Sequence, residues 1–112
     1  IERTTAALAR KGFGVLTTID VTATMKSKLG VDFRPYVILG ACNPQFAWKA
    51  LQAEDKIGTM LPCNVVVTEV ASGKAEIAAV NPVAAMSSVG NPQLAEIAGT
   101  VATALREAVE SA

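Results

Sequence analysis

The sequence predicts an α+β fold with two layers: a mainly antiparallel sheet of about four strands, and helices packed on one face. Two short β-branched apolar runs, residues 36–39 and 65–67, are typical of strands of about five residues. Two Asn-Pro pairs, 43–44 and 91–92, each open an amphipathic helix pattern. The 112 residues, 51% of them hydrophobic, suffice for one core, so we expect a single domain over residues 1–112.

The first thirty residues predict a helix, a strand and a second helix. The first helix spans 4–11 and ends at Gly12, and the strand over 13–19 alternates in a way that favours one more heavily buried face. Asp20 caps the second helix and Gly30 ends it. The apolar stripe of this helix consists of Val21, Met25 and Leu29.

The second half predicts a hairpin and a long terminal helix. The strand that starts near residue 63 runs to residue 70, turns at Ser72-Gly73 and is followed by a strand over 74–80. Residues 83–90 are apolar but short, which indicates an irregular or single-turn helical loop. The longest amphipathic stripe of the chain follows and predicts a helix across the sheet, with Leu94, Ile97, Val101 and Leu105 on its apolar face.

Two segments of the chain resemble family 302 of the domains of unknown function. They read ILGACNP at 38–44 and LPCNVVV at 61–67, and Gly12-Phe13 and Ile19-Asp20 also fit the family pattern. The resemblance covers nearly the whole chain and implies a small prokaryotic α+β domain, found alone or fused, often dimeric, with no settled biochemical role. The family pattern has a further strand ahead of the first helix, so the strand count and any signal upstream of Ile1 stay open.

Several familiar enzyme classes lose support from composition. The chain has no histidine, so Ser-His and Cys-His nucleophile pairs and histidine metal ligands cannot be built within it. Neither a dinucleotide-binding GxGxxG after a strand nor a phosphate-binding P-loop occurs. Composition therefore favours a protein that is not an enzyme without deciding the question, and we expect no cofactor and no metal.

Charge and hydropathy limit the expected partners. Ten basic and ten acidic residues give a formal net charge of zero with no basic cluster, so nucleic acid is not an expected partner. No apolar run approaches the ~20 residues of a membrane span, and the N-terminal segment lacks the apolar core of a signal peptide. We expect a cytoplasmic protein with no membrane partner.

The two cysteines mark the candidate site. Cys42 precedes a predicted helix N-terminus, which can lower the pKa of a thiol, and Cys63 begins a predicted strand. If the two strands are adjacent and antiparallel, both cysteines lie at one edge of the sheet; a parallel crossover through the helix would separate them. The predicted pocket consists of Cys42, Asn43, Cys63 and Asn64. No disulfide is expected in a reducing compartment.

Simple packing remains an alternative, because free cysteine is among the most buried residue types and the 21-residue separation matches no metal or redox motif. Trp48, one position off its helix stripe, suits a subunit interface, a pocket rim or partial core burial, and Met86 suits a core filler.

Two functional hypotheses follow. The leading one is a non-enzymatic small-molecule-binding or assembly module that forms a homodimer, with an unidentified ligand. The alternative is a thiol-based redox, sulfur-carrier or metal-thiolate protein that uses Cys42 and Cys63.

Overall fold

The computed structural model describes residues 1–61, 63–86 and 89–112. The fold combines helices with one sheet, as predicted. Its helices are α1 (Glu2–Arg10), α2 (Val21–Leu29), α3 (Pro44–Ala53), α4 (Pro82–Met86) and α5 (Pro92–Ser111), and its strands are β1 (Gly14–Asp20), β2 (Tyr36–Cys42), β3 (Cys63–Ala71) and β4 (Lys74–Ala79). A 3₁₀ turn spans Asp55–Met60. The predicted loop over 83–90 contains α4 in part, while its residues 87 and 88 lie outside the described residues.

The four strands form one sheet in the order β1-β2-β3-β4, and every neighbouring pair is antiparallel. The pairing of β2 with β3 decides between the two arrangements that the sequence left open. Although α3 lies between them in the chain, the strands run antiparallel, so the parallel crossover is excluded. The predicted antiparallel α+β class is confirmed.

The core lies between the helices and one face of the sheet and has two clusters. The first joins Leu39 and Val65 of the sheet to Leu8 of α1 and Leu105 of α5. The second lies around α3 and α4 and contains Ala50, Ile57, Met86, Leu94 and Ala98. Because α5 contributes to both clusters, its predicted stripe is the element that holds the two halves of the core together. Within the described residues, the structure contains no helix long and apolar enough to cross a membrane.

Asparagine side chains start the two main helices, as predicted. The Asn43 carboxamide oxygen accepts a hydrogen bond from the Phe46 backbone N–H at 3.4 Å. The Asn91 oxygen accepts one from the Gln93 N–H at 2.9 Å, while its amide nitrogen donates to the Ala53 carbonyl at 3.0 Å. Asn91 therefore caps α5 and also ties it to the end of α3.

Two sequence predictions are wrong in detail. The strand β1 has a bulge between Val15 and Thr17, so its side chains exchange faces along the strand and no single face is heavily buried. The stripe of α2 does not enter the core either, and Leu29 is 69% exposed. This helix is attached through its first turn, where the Thr22 hydroxyl donates to the Arg34 carbonyl at 2.7 Å and accepts from the Tyr36 N–H at 2.9 Å.

Candidate functional site

A small cavity lies between the two core clusters, at the end of the sheet where β2 leads into α3. Its wall includes Cys42, Asn43, Cys63 and Met86 together with apolar residues of α3 and α5. The cavity has a volume of about 30 Å³, which is room for one or two water-sized atoms. An organic ligand normally occupies a pocket of ~300–1,000 Å³, so this cavity suits a single atom or ion better than a molecule.

The register of the sheet explains why the two cysteines meet. Ala41 of β2 lies directly opposite Cys63 of β3, and Cys42 is one residue further along. The prediction that adjacent antiparallel strands bring both cysteines to one edge is therefore confirmed, with a register offset of one residue. Cys63 is only 6% exposed, whereas Cys42, the last residue of its strand, is half-buried at the cavity wall. Both are free thiols.

The structure separates Asn64 from the other three predicted pocket residues. Asn64 pairs with Gly40 and is exposed on the opposite face of the sheet from Ala41 and Cys63. It borders a second depression, shared with Cys63 and Met86, but not the small cavity. The structure thus brings together three of the four predicted pocket residues, Cys42, Asn43 and Cys63. Their role in binding stays a prediction.

Burial keeps both thiols protonated. It raises the pKa of the Cys42 thiol above its ordinary value of 9.0. Burial also raises the pKa of Cys63, and the charge of the nearby Cys42 thiolate raises it further. The direction for Cys42 is opposite to the one expected from its place before a helix N-terminus, because desolvation opposes the thiolate. At neutral pH the cavity wall therefore carries two neutral thiols.

Gly12 supports the site from the loop between α1 and β1. Its φ of +84° lies in the left-handed region that glycine adopts without strain. A Cβ at this position would also lie 2.9 Å from the amide nitrogen of Asn43. A side chain at Gly12 would therefore displace the residue that caps α3 beside Cys42.

Sequence reasoning missed Met86 as a site residue and assigned it to the core. It is 8% exposed and does pack in the second core cluster, but it also forms part of the cavity wall with both cysteines. No local signal pointed to this position, since α4 reaches the cavity only through the tertiary fold. Trp48, by contrast, is 64% exposed on α3, which excludes core burial for its ring.

A larger groove, of about 370 Å³, lies between α3 and α5 and was also missed. Polar side chains of both helices border it, among them Lys49, Gln52 and Glu96. The sequence signal for this groove was the polar face of each helix, opposite its apolar stripe. Any solvated helix face shows the same pattern, so the signal did not indicate a groove.

A second surface lies on the sheet face that points away from the helices. One cross-strand row, Ile19, Ile38, Val66 and Ala78, runs over all four strands on this face, and we call it the outer row. Ile19 is 49% exposed, and Ile38 and Val66 are half-buried. Their chain neighbours Leu39 and Val65 point the other way, into the core.

The border of the outer row carries charges of opposite sign. The Arg34 guanidinium, from the linker before β2, donates to the Thr68 hydroxyl at 3.3 Å and lies 4.6 Å from the Phe33 ring centre. Glu76, exposed, is the direct cross-strand partner of Thr68. The outer row is therefore an apolar surface with one cationic and one acidic side chain beside it.

Comparison with known proteins gives a family and a structural relative. The model of the family described as "Domain of unknown function DUF302" matches residues 1–112. A similar solved structure is the crystal structure of an uncharacterized conserved DUF302 protein from Bacillus stearothermophilus. It has a TM-score of 0.89 and 35% sequence identity, with 98% of this chain and 85% of that chain covered. None of the curated proteins matches.

Proposed function

Since the chain belongs to the DUF302 family of domains of unknown function, we propose that it is a non-enzymatic assembly module in which two copies associate through the outer row. The observation that carries this proposal is the apolar outer row on a sheet face that the helices leave uncovered. Antiparallel sheets with one wet face normally alternate apolar and polar residues, whereas residues 36–39 and 65–67 are apolar on both faces. Such continuous apolar runs are typical of strands covered on both sides.

A second copy of the chain is the occupant that this surface favours. A two-fold interface brings the same patch onto itself, so it tolerates apolar rows and penalises patches of one charge sign. The outer row satisfies this condition, because Arg34 and Glu76 beside it carry opposite charges. The chain as a whole has a formal net charge of zero, so copies do not repel one another.

The thiols support a non-catalytic role and a cytoplasmic location. A nucleophilic cysteine needs a depressed pKa, whereas burial raises the pKa of both Cys42 and Cys63. Two neighbouring thiols that stay unpaired suit a reducing compartment. These observations support our proposal of a cytoplasmic protein whose cysteines serve binding or packing rather than covalent chemistry.

The association itself is tested by the mass of the purified chain in solution. Sedimentation equilibrium at micromolar concentration should give about twice the chain mass of 11.6 kDa. A mass of one chain over the whole concentration range would overturn the assembly function.

The redox and sulfur-carrier alternatives are tested by the pH dependence of thiol labelling. A raised pKa reduces the fraction of thiol present as thiolate, the form that reacts with iodoacetamide. At pH 8 iodoacetamide should therefore modify the native protein more slowly than the unfolded chain, which is the control. The native rate should continue to rise as the pH passes through and above 9.0, the ordinary value of a free thiol. A fast native reaction that saturates below that pH would support a redox or sulfur-carrier role for the cysteines.

A further inference from the structure

The cavity described above is bordered by sulfur-containing residues from three separate elements. Cys42 ends β2, Cys63 begins β3, and Met86 ends α4. These are three of the five sulfur-containing residues of the chain, and all three border one space of about 30 Å³. Their convergence at one point is a product of the tertiary fold, because Cys63 and Met86 lie 21 and 44 residues after Cys42.

The remaining wall of the cavity offers little to water or to an organic molecule. Apart from Asn43 and the thiols, the residues that border it are apolar, including Phe46, Ala50 and Ala98. A buried water normally makes about three hydrogen bonds, and the carboxamide oxygen of Asn43 is already engaged in capping α3. A single soft ion, bound by sulfur and surrounded by apolar side chains, matches both the size and the chemistry of this space.

We propose that Cys42, Cys63 and Met86 bind one Cu(I) ion in each chain. Thiolate and thioether ligands select Cu(I), while Mg²⁺ and Ca²⁺ require oxygen ligands. Structural zinc sites use four nitrogen, sulfur or carboxylate ligands, and residues 1–61, 63–86 and 89–112 contain no group of three His, Cys, Asp or Glu that could bind a metal. A Cys₂Met set with an apolar surround therefore favours copper in its reduced state.

Binding in this site is a proton exchange without electron transfer. Two S–H bonds break, two Cu–S bonds to the cysteines form, and the two protons leave to the solvent, while the Met86 thioether donates a lone pair. Copper enters and stays as Cu(I). The resulting complex carries one net negative charge next to the N-terminus of α3, whose backbone N–H groups favour that sign. This proposal goes beyond the assembly function and depends on the cavity alone, not on the outer row.

The test is an anaerobic titration of the reduced full-length chain with Cu(I), in competition with bathocuproine disulfonate. The expected result is one copper per chain, with three sulfur neighbours in X-ray absorption spectra. Cys42→Ser and Cys63→Ser should each weaken binding at least ~10–100-fold, the loss that even outer-shell changes cause at metal sites.

Met86→Leu tests the third ligand without a large change in packing, since Leu and Met have similar volumes. It should weaken copper binding about tenfold and remove one sulfur neighbour from the spectrum. Met25→Leu, on α2 away from the cavity, is the matched control and should bind as the wild type does. Circular dichroism and thermal midpoints show whether each variant is folded.

Three results would overturn the proposal. They are failure of the folded wild type to retain copper against the chelator, one copper per two chains, and a folded Met86→Leu variant with unchanged affinity and unchanged spectrum. The mass of the copper-free chain is measured separately. A chain that binds no copper could therefore still form the proposed dimer, and a monomeric chain could still bind copper.

Discussion

The two faces of the sheet are similar in sequence but differ in their surroundings. Leu39 and Val65 point toward α1 and α5 and are 1% and 0% exposed. Ile38 and Val66, each next to one of them in the chain, point away from the helices and stay half-buried. Comparable apolar side chains thus pack in the core on one face and stay partly exposed on the other. This difference in burial is the basis of the proposal that copies of the chain associate through the outer row.

The largest expected effect is the difference in stability between a variant on the inner face of the sheet and one on the outer face. Leu39→Ala should lower the free energy of unfolding by about 2–5 kcal/mol at every protein concentration, because it leaves a cavity inside the monomer core. Ile38→Ala should lower the free energy of unfolding by less in dilute solution. The loss should grow with protein concentration, because the substitution weakens contacts between copies. Urea denaturation at two protein concentrations measures both variants.

Equal losses of unfolding free energy in the two variants, independent of protein concentration, would contradict the distinction between the two faces. They would mean that Ile38 contributes only within one chain and that the outer row has no role in association.

Much of this contrast is visible in the sequence, but the choice of face is not. The runs at 36–39 and 65–67 predict β2 and β3 correctly, and the Asn-Pro pairs predict where α3 and α5 begin. A run that is apolar at every position does not reveal which of its alternate side chains meets the helices. That choice depends on the packing of α5, which lies elsewhere in the chain.

Two other features depend on tertiary structure in the same way. The bulge in β1 changes the face on which Thr17 and Ile19 lie. No glycine or proline between Val15 and Thr17 indicates a bulge in the sequence. Met86 reaches the cavity because α4 packs on α5, which also borders the cavity. The positions of Cys42 and Cys63 were predictable because each adjoins an apolar strand run.

A smaller effect concerns the helices that cover the inner face. Asn43→Ala and Asn91→Ala should each lower the free energy of unfolding by about 1 kcal/mol, because each removes an oxygen that accepts from the first helical turn. Asn91→Ala should cost the more of the two, since it also removes the hydrogen bond to the Ala53 carbonyl. Urea midpoints compared at equal m-values provide the measurement.

Gln52→Ala is a suitable control for the two caps, because Gln52 is exposed on α3 and caps no helix. Unchanged midpoints for both cap variants would contradict the account of how α3 and α5 begin.

The most direct test of the central claim, that copies associate through the outer row, is sedimentation equilibrium of charged variants. Ile38→Asp and Ile19→Asp place a carboxylate in the outer row, whereas Val83→Asp places one on an exposed apolar residue of α4. Circular dichroism confirms that each variant is folded. The account predicts one chain mass for both outer-row variants and two chain masses for wild type and Val83→Asp. Folded outer-row variants that keep the mass of two chains would contradict it.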